Sequence, residues 1–368
     1  MIDGNVVAYN AAVFVGTLFL LESGADKFVD HTAIVARRTG IPDTLIALLT
    51  AGAEWEELAV VVSALAQGRA PLALGNIVGS AISNILGAFS LGLLFRKNGE
   101  HMQFDRSARI YSLLLLGVTT VIAPITFFPR EELWKVTGII LIVAFAIYII
   151  SVGWAISRGS LTAPEGSDSD SESSSDDERD AEAPPTSSRR RSNGEQQPLL
   201  RPSENFARRR RSLWYHIGYL FLGFLTICLS GYVLSHAATN ISDALGASEV
   251  LFGIVVLAIG TTLPEKFVAV ISGNRGHGGI LVANTVGSNI FLLTLCLGIV
   301  MVGSRGELGA AGGVDIVELV VLWVTTAVFT ITVWMGGRFD RLIGGLMLLG
   351  YVAFIVVEFL VLRRNFDL

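Results

Sequence analysis

Apolar residues run along this chain in blocks far longer than a water-soluble core needs, and polar residues interrupt them at fairly even intervals. Blocks near 6–22, 41–66, 71–95, 109–128, 133–156, 213–235, 249–273, 279–303, 315–335 and 341–362 stand out. A bilayer is crossed by roughly 17–25 residues of helix. The pattern therefore predicts ten transmembrane helices, five on each side of a polar stretch. The first block lacks a basic leader and is followed by Glu22, Asp26 and Lys27 rather than a small-residue cleavage site, so it is expected to be a retained helix. The fold class is all-α and polytopic.

The polar stretch divides the chain into residues 1–156, a loop at 157–212 and residues 213–368. The loop is acidic and serine-rich, then proline-containing, then arginine-rich, and it cannot bury enough apolar surface to offset its ordering entropy. Its serines among acids suit phosphorylation, and the run from Glu195 to Leu200 fits an acidic dileucine signal for a sorting adaptor. Composition agrees with a membrane protein: 52% of residues are hydrophobic and 16% charged, outside the range of soluble domains. The net charge of -5 says little about partners, because much of the charge sits in the loop. Cys228 and Cys296 both lie in apolar runs and are expected to be buried thiols rather than a disulfide or metal ligands.

The two halves repeat one another. Shifting residues 52–82 by 208 places them on 260–290 without a gap, pairing Gly52 with Gly260, Glu57 with Glu265, Gly68 with Gly276, Asn76 with Asn284 and Gly79-Ser80 with Gly287-Ser288. Most of the shared residues are not apolar filler, which points to an internal duplication. Five helices per repeat is an odd number, so the second copy must run through the membrane in the opposite direction. Inverted repeats place ion or substrate sites where the copies meet and where helices are interrupted.

The repeated stretches carry such interruptions. Gly260 and Pro264 flank Thr261 and Thr262, which predicts a helix break just before Glu265, with freed carbonyls available to cations. The first copy has Glu54, Trp55 and Glu56 there and no proline, so a break is less strongly encoded. Intramembrane carboxylates cost roughly 2.5–3.5 kcal/mol on insertion scales, which favours a functional reason for them. Glu54 and Glu57, three residues apart, share a helix face from which Glu56 points away. With Glu265, Ser80, Asn84 and Ser288 they make an all-oxygen donor set suited to Ca²⁺ and compatible with Na⁺.

Plainer readings stand beside these. A glutamate near a helix end can sit among headgroups, and Glu56 fits that role as well as any. Gly75, Gly79 and Gly287 are expected to serve close helix packing, while Asn76 and Asn284 are open between packing and ligation. Lys266 beside Glu265 offers itself as a counter-ion filling the site, but its angular offset of about 100° from Glu265 assigns it to another helix or to snorkelling. The five histidines form no metal-binding pair, and there is no P-loop and no nucleophile elbow, so no enzyme, cofactor or nucleic-acid function is expected.

The run Gly260-Thr261-Thr262-Leu263-Pro264-Glu265, followed by Asn284 to Ile290 and echoed by Gly75 to Asn84, resembles the paired alpha repeats of the cation/calcium exchanger superfamily, most closely its sodium/calcium exchanger branch. The interval from glutamate to serine is 23 residues in both copies. The resemblance covers both membrane halves and not the loop. It implies a ten-helix antiporter in which Glu57 and Glu265 coordinate Ca²⁺, Na⁺ or H⁺ competes at the same centre, and two-helix bundles slide to expose it alternately. Two departures stand out: Glu54 replaces a hydroxyl residue of the family pattern, and Leu292 stands where the first copy has Asn84, with Asn289 as a substitute oxygen. A Ca²⁺/H⁺ exchanger is the nearest alternative, favoured by the carboxylate cluster; a passive cation channel or a transport-inactive paralogue is the alternative of another class.

Basic residues set the expected orientation. Lys27, Arg37, Arg38, Arg96, Lys97, Arg106, Arg109, Arg275, Arg338 and Arg341 fall on the side of the arginine-rich loop, which is then cytoplasmic, with both termini outside or lumenal. The sequon Asn240-Ile241-Ser242 is expected in a loop on the outer side. An endomembrane such as the vacuolar one is the expected location, given the dileucine pattern.

Overall fold

The computed structural model describes residues 4–39, 54–97, 101–157, 212–306, 308, 313–336 and 339–363. Among them every regular element is a helix, as a chain in lipid requires, because a helix satisfies its own backbone groups. In chain order these are α1 (Gly4–Arg38), α2 (Trp55–Ala66), α3 (Ala70–Leu94), α4 (Arg106–Phe127), α5 (Glu131–Ser157), α6 (Leu213–Leu245), α7 (Glu249–Thr261), α8 (Leu263–Asn274), α9 (Gly278–Ser304), α10 (Ile316–Met335) and α11 (Asp340–Arg363). Among the described residues eight helices are long and apolar enough to cross a membrane, nine with α7 and α8 taken together. The expected span at 41–66 is described only over α2; its first part, and the loop at 157–212 apart from its two end residues, lie outside the described residues.

The duplication is visible element by element. Trp55–Ala66 recurs 208 residues on as Leu263–Asn274, and Ala70–Leu94 recurs as Gly278–Ser304. Even a local irregularity recurs: α3 widens to π geometry at Ser83–Phe89 and α9 does so at Phe291–Cys296. Such wide turns inside helices gather at functional sites.

Opposite orientation of the copies follows from contacts at the two ends. At one end, Arg69 in the turn before α3 pairs with Asp243 of α6 and Glu249 of α7. At the other, Arg96 beyond α3 pairs with Asp340 of α11, whose carboxylate also accepts from the Met102 amide. Helix α9 starts against Met102 and Gln103, at the Asp340 end, and finishes against Leu65, at the Arg69 end. It therefore runs antiparallel to α3.

Helices α3 and α9 form the buried centre, and every residue from Ala70 to Ile82 is buried. Glycine makes this possible. A Cβ on Gly79 would lie 2.3 Å from the Ile254 carbonyl oxygen, and one on Gly253 would lie 2.6 Å from the Leu72 carbonyl oxygen. Backbones of α3 and α7 thus touch directly, as small residues allow in membrane helices, and Gly75 serves the same crossing. Outside this centre, α1 lies along α6 and α4 along α10, while α5 backs the second half of α9 and α11 the second half of α3. Their outer faces are apolar and exposed, as at Phe19, Ile147, Leu229 and Leu346.

Three expectations need correction. Helix α1 runs 35 residues, well past the predicted 6–22, because its second half keeps a buried face at Gly24, Ala25 and Ala36 although charged and polar residues such as Asp26, Lys27, Asp30 and His31 interrupt it. The sequon is not in a loop: Asn240, Ile241 and Ser242 lie in the last turns of α6, where Asn240 bonds to Asn10 and the buried Ser242 hydroxyl donates to the Ala247 carbonyl. It gives no support to the orientation. Cys228 is exposed on α6 and only Cys296 is buried; both are free thiols.

Candidate cation site

The site forms where the starts of α2 and α8 meet the middles of α3 and α9. In the second copy the helix bends by 49° between α7 and α8, with Thr262 at the break and Pro264 in the first turn of α8. Proline is tolerated there because the first-turn amides have no intrahelical acceptor. The break thus falls where Gly260 and Pro264 predicted it. In the first copy Glu54 is the N-cap of α2, with non-helical backbone angles. Each break leaves its repeat glutamate, Glu57 or Glu265, in the first turn of the helix that follows, where the positive end of the helix favours an anionic side chain.

Glu57 is 1% exposed and fully engaged. Asn76 donates to one carboxylate oxygen; Ser80, at 2.8 Å, and Thr261, at 2.6 Å, donate to the other. Asn76 and Ser80 come from α3, one turn apart on one face, and Thr261 comes from the opposite repeat. The Asn76 and Ser80 positions predicted from sequence therefore do converge on the predicted glutamate.

Glu54 and Glu265 are different. Glu54 is 4% exposed, with Ser288 and Asn84 facing it, yet neither of its oxygens has a hydrogen-bond partner. Glu265 is 9% exposed and its Oε2 has no partner. The Oδ1 atoms of Asn76 and Asn84 are also buried and unpartnered, and Asn84 donates weakly to Asn289 Oδ1 at 3.4 Å. Five buried oxygens thus await a donor or a cation, and buried polar atoms in folded proteins are seldom left so. Glu56 is half-buried, and its charge acts on Glu265 and Glu22 rather than away from the site. Asn284, the counterpart of Asn76, is only half-buried. Leu292, the counterpart of Asn84, is fully buried in the wide turn of α9. No three His, Cys, Asp or Glu side chains among the described residues form a metal cage by themselves. A cation here must take hydroxyl and amide oxygens as well.

Lys266 meets one half of the expectation made for it and corrects the other. It does not snorkel: its ammonium meets another helix, as expected, at Ser83 Oγ of α3, 3.0 Å away, but it also reaches back to the break, donating to Thr262 O at 3.0 Å and Thr262 Oγ1 at 2.5 Å. The lysine stem is long enough to curl over one helical turn, which the angular argument from Glu265 neglected. Ser83 and Tyr351, whose hydroxyl lies 2.9 Å from Ser83 Oγ, were not anticipated. Ser83 offered a signal, a third polar position beside Ser80 and Asn84. Tyr351 offered none.

The fold is that of an inverted-repeat membrane protein with a buried, oxygen-lined cluster at its helix breaks, a candidate cation site. The model of the sodium/calcium exchanger protein family matches residues 9–154 and 215–360. The chain belongs to that family, a family of cation/Ca²⁺ exchangers and not of enzymes. It is 26% identical over 348 residues to the putative antiporter CaxA of Alkalimonas amylolytica, covering 93% of this chain and 96% of that protein. It is 24% identical over 388 residues to the sodium/calcium exchanger MaX1 of Methanosarcina acetivorans, covering 96% and 99%. Among solved structures, the sodium-calcium exchanger NCX_Mj soaked with Na⁺ and Sr²⁺ superimposes with a TM-score of 0.56 at 21% identity, over 95% of this chain and 99% of that one. Native YfkE superimposes with a TM-score of 0.64 at 16% identity, over 95% and 92%. These likenesses establish the fold.

Proposed function

We propose that the protein is a secondary active antiporter that exchanges Ca²⁺ for Na⁺ by alternating access at the site built from Glu54, Glu57 and Glu265. The observation that carries this reading is the set of five unpartnered buried oxygens beside a carboxylate already held by three donors. Ca²⁺ takes 6–8 oxygen ligands, and carboxylate, amide and hydroxyl oxygens are the types present. Ser288, Thr261 and Asn289 would complete its shell or that of Na⁺, while the Thr262 oxygens are taken by Lys266. An empty site of this kind holds carboxylates close together without compensation, which penalises movement unless cations are bound. Coupling follows from that penalty. The pair α1 and α6, packed along one another across the outside of the breaks, is the two-helix bundle that would slide.

Replacement of a hydroxyl by Glu54 favours a second reading, Ca²⁺/H⁺ exchange, since an added carboxylate can carry a proton in place of a metal ion. The deciding measurement is ⁴⁵Ca²⁺ uptake into vesicles of purified protein under an outward Na⁺ gradient, an outward H⁺ gradient or neither. Acceleration by Na⁺ alone supports the first reading and by H⁺ alone the second. Uptake indifferent to both indicates a channel, and absence of uptake an inactive paralogue. The basic-residue bias favours a cytoplasmic loop with outer or lumenal termini, and the dileucine pattern from Glu195 to Leu200 favours an endomembrane location.

A further inference from the structure

Within the site just described lies a cation that belongs to the protein. The Lys266 ammonium has three protons and three acceptors, Thr262 O, Thr262 Oγ1 and Ser83 Oγ. The surrounding hydroxyl protons are accounted for as well. Thr262 donates to the Ala258 carbonyl at 2.6 Å, leaving its oxygen to accept from Lys266 and from Ser83. Tyr351 donates to Ser83, which donates on to Thr262. No hydroxyl in this shell is left over.

The chain also makes room for the lysine. A Cβ on Gly87 would lie 3.2 Å from Lys266 Cε, so glycine at that position gives the stem its channel. In the inverted copy none of this recurs. The positions 208 residues earlier or later are Leu58 for Lys266, Glu54 for Thr262, Phe291 for Ser83 and Leu295 for Gly87. The lysine and its shell thus distinguish the two halves of the duplicated framework.

The ammonium acts electrostatically on Glu265, Glu57 and Glu54 together. We propose that Lys266 is a tethered cation which permanently fills one of the exchanger's monovalent positions, so that one fewer free monovalent cation is needed to compensate the carboxylates. In their ionised forms the three carboxylates are balanced by one Ca²⁺ and the ammonium, or by two Na⁺ and the ammonium. The exchange is then two Na⁺ for one Ca²⁺. This inference rests on the reading of the site as a Ca²⁺ exchanger, and on the lysine staying with its shell through the cycle.

The test is ⁴⁵Ca²⁺/Ca²⁺ self-exchange in proteoliposomes at fixed pH, with N-methylglucamine or Na⁺ as the monovalent cation on both sides. The parent protein should self-exchange without any Na⁺, at least as fast in N-methylglucamine as in Na⁺, which competes with Ca²⁺ for the carboxylates. K266A empties the position onto the Thr262 and Ser83 oxygens; its exchange should fall at least tenfold in N-methylglucamine and recover in Na⁺. The Hill coefficient for Na⁺-driven Ca²⁺ efflux should rise by about one. K266M fills the space without charge, and Na⁺ should not rescue it. K266S repeats the K266A experiment with a second small residue. Self-exchange by K266A at the parent rate without Na⁺, or equal impairment of K266A and K266M whatever the monovalent cation, overturns the proposal. So does loss of folding in both small variants even with Na⁺ present, which would make the lysine a strut. A parent protein that moves no Ca²⁺ in either medium refutes the exchanger reading itself, a result distinct from all of these.

Discussion

Glu54 offers the most direct measurement of what the open oxygens are for. Both of its carboxylate oxygens are buried without a partner, and Asn84 Oδ1 beside it is an unfilled acceptor. A buried polar group left unpaired costs about 1–3 kcal/mol, and more when charged. Glu54→Gln keeps the volume, removes the charge and offers an N–H to Asn84. In the ion-free protein the variant should therefore be more stable than the parent by about 1–3 kcal/mol. Ca²⁺ should do the reverse. At a hundred times Kd a ligand adds about 2.7 kcal/mol of stability; if the variant loses tenfold in affinity, the same Ca²⁺ concentration adds only about 1.4 kcal/mol. The assay is thermal unfolding of purified protein in detergent, with a chelator and with graded Ca²⁺. Parent and variant should cross, the variant melting higher without Ca²⁺ and gaining less from it. Identical ion-free melting together with an undiminished Ca²⁺ shift would refute the assignment of these oxygens to a cation.

Three further outcomes follow from the same geometry. Glu57→Gln and Glu265→Gln should each abolish ⁴⁵Ca²⁺ transport while the protein elutes as folded, and parent rates in both would place the site elsewhere. Gly79→Ala drives a methyl group into the Ile254 carbonyl and should cost about 1–3 kcal/mol by overpacking; an unchanged melting temperature would mean that α3 and α7 do not touch as described. Leu292→Asp should alter Ca²⁺ affinity or ion stoichiometry by restoring an oxygen opposite Asn84, and no change in either would mean that this face of α9 does not reach the ion.

Much of this was legible in the residues. The glutamates, the Gly-Ser pairs and the proline-marked break are local signals, and the shift of 208 residues tied the halves together before any geometry was known. What escaped has identifiable causes. Helix α6 runs to Leu245 because a buried face of Ala237, Ala238 and Ile241 continues beneath polar neighbours, so a hydropathy window ended the span too early and left the sequon in a loop that does not exist. Lys266 was only half placed because its acceptors are set by the helix break and by Ser83, which the lysine meets only after two segments 183 residues apart are packed together. Tyr351 lies 268 residues from the serine it binds, in a helix with no polar pattern around it.

The two halves of the site have diverged in how tightly they hold their charge, and the difference bears on coupling. Glu57 is locked by Asn76 and Ser80 from its own repeat and by Thr261 from the other. The Thr261 hydroxyl has one proton and two acceptors within reach, Glu57 at 2.6 Å and its own helix's Leu257 carbonyl at 3.0 Å. A cation that takes the charge of Glu57 weakens the first bond, because a hydrogen bond to a charged acceptor is worth about 1.5–3 kcal/mol and a neutral one about 0.5–1.5. The hydroxyl would then rotate to donate to the Leu257 carbonyl alone, and ion binding would loosen the link between repeats. Glu265 has no such link on its free oxygen and can follow the ion. On the proposed exchange, one glutamate would report occupancy to the opposite repeat while the other gathers the ligand, a division of labour that two identical half-sites would not provide.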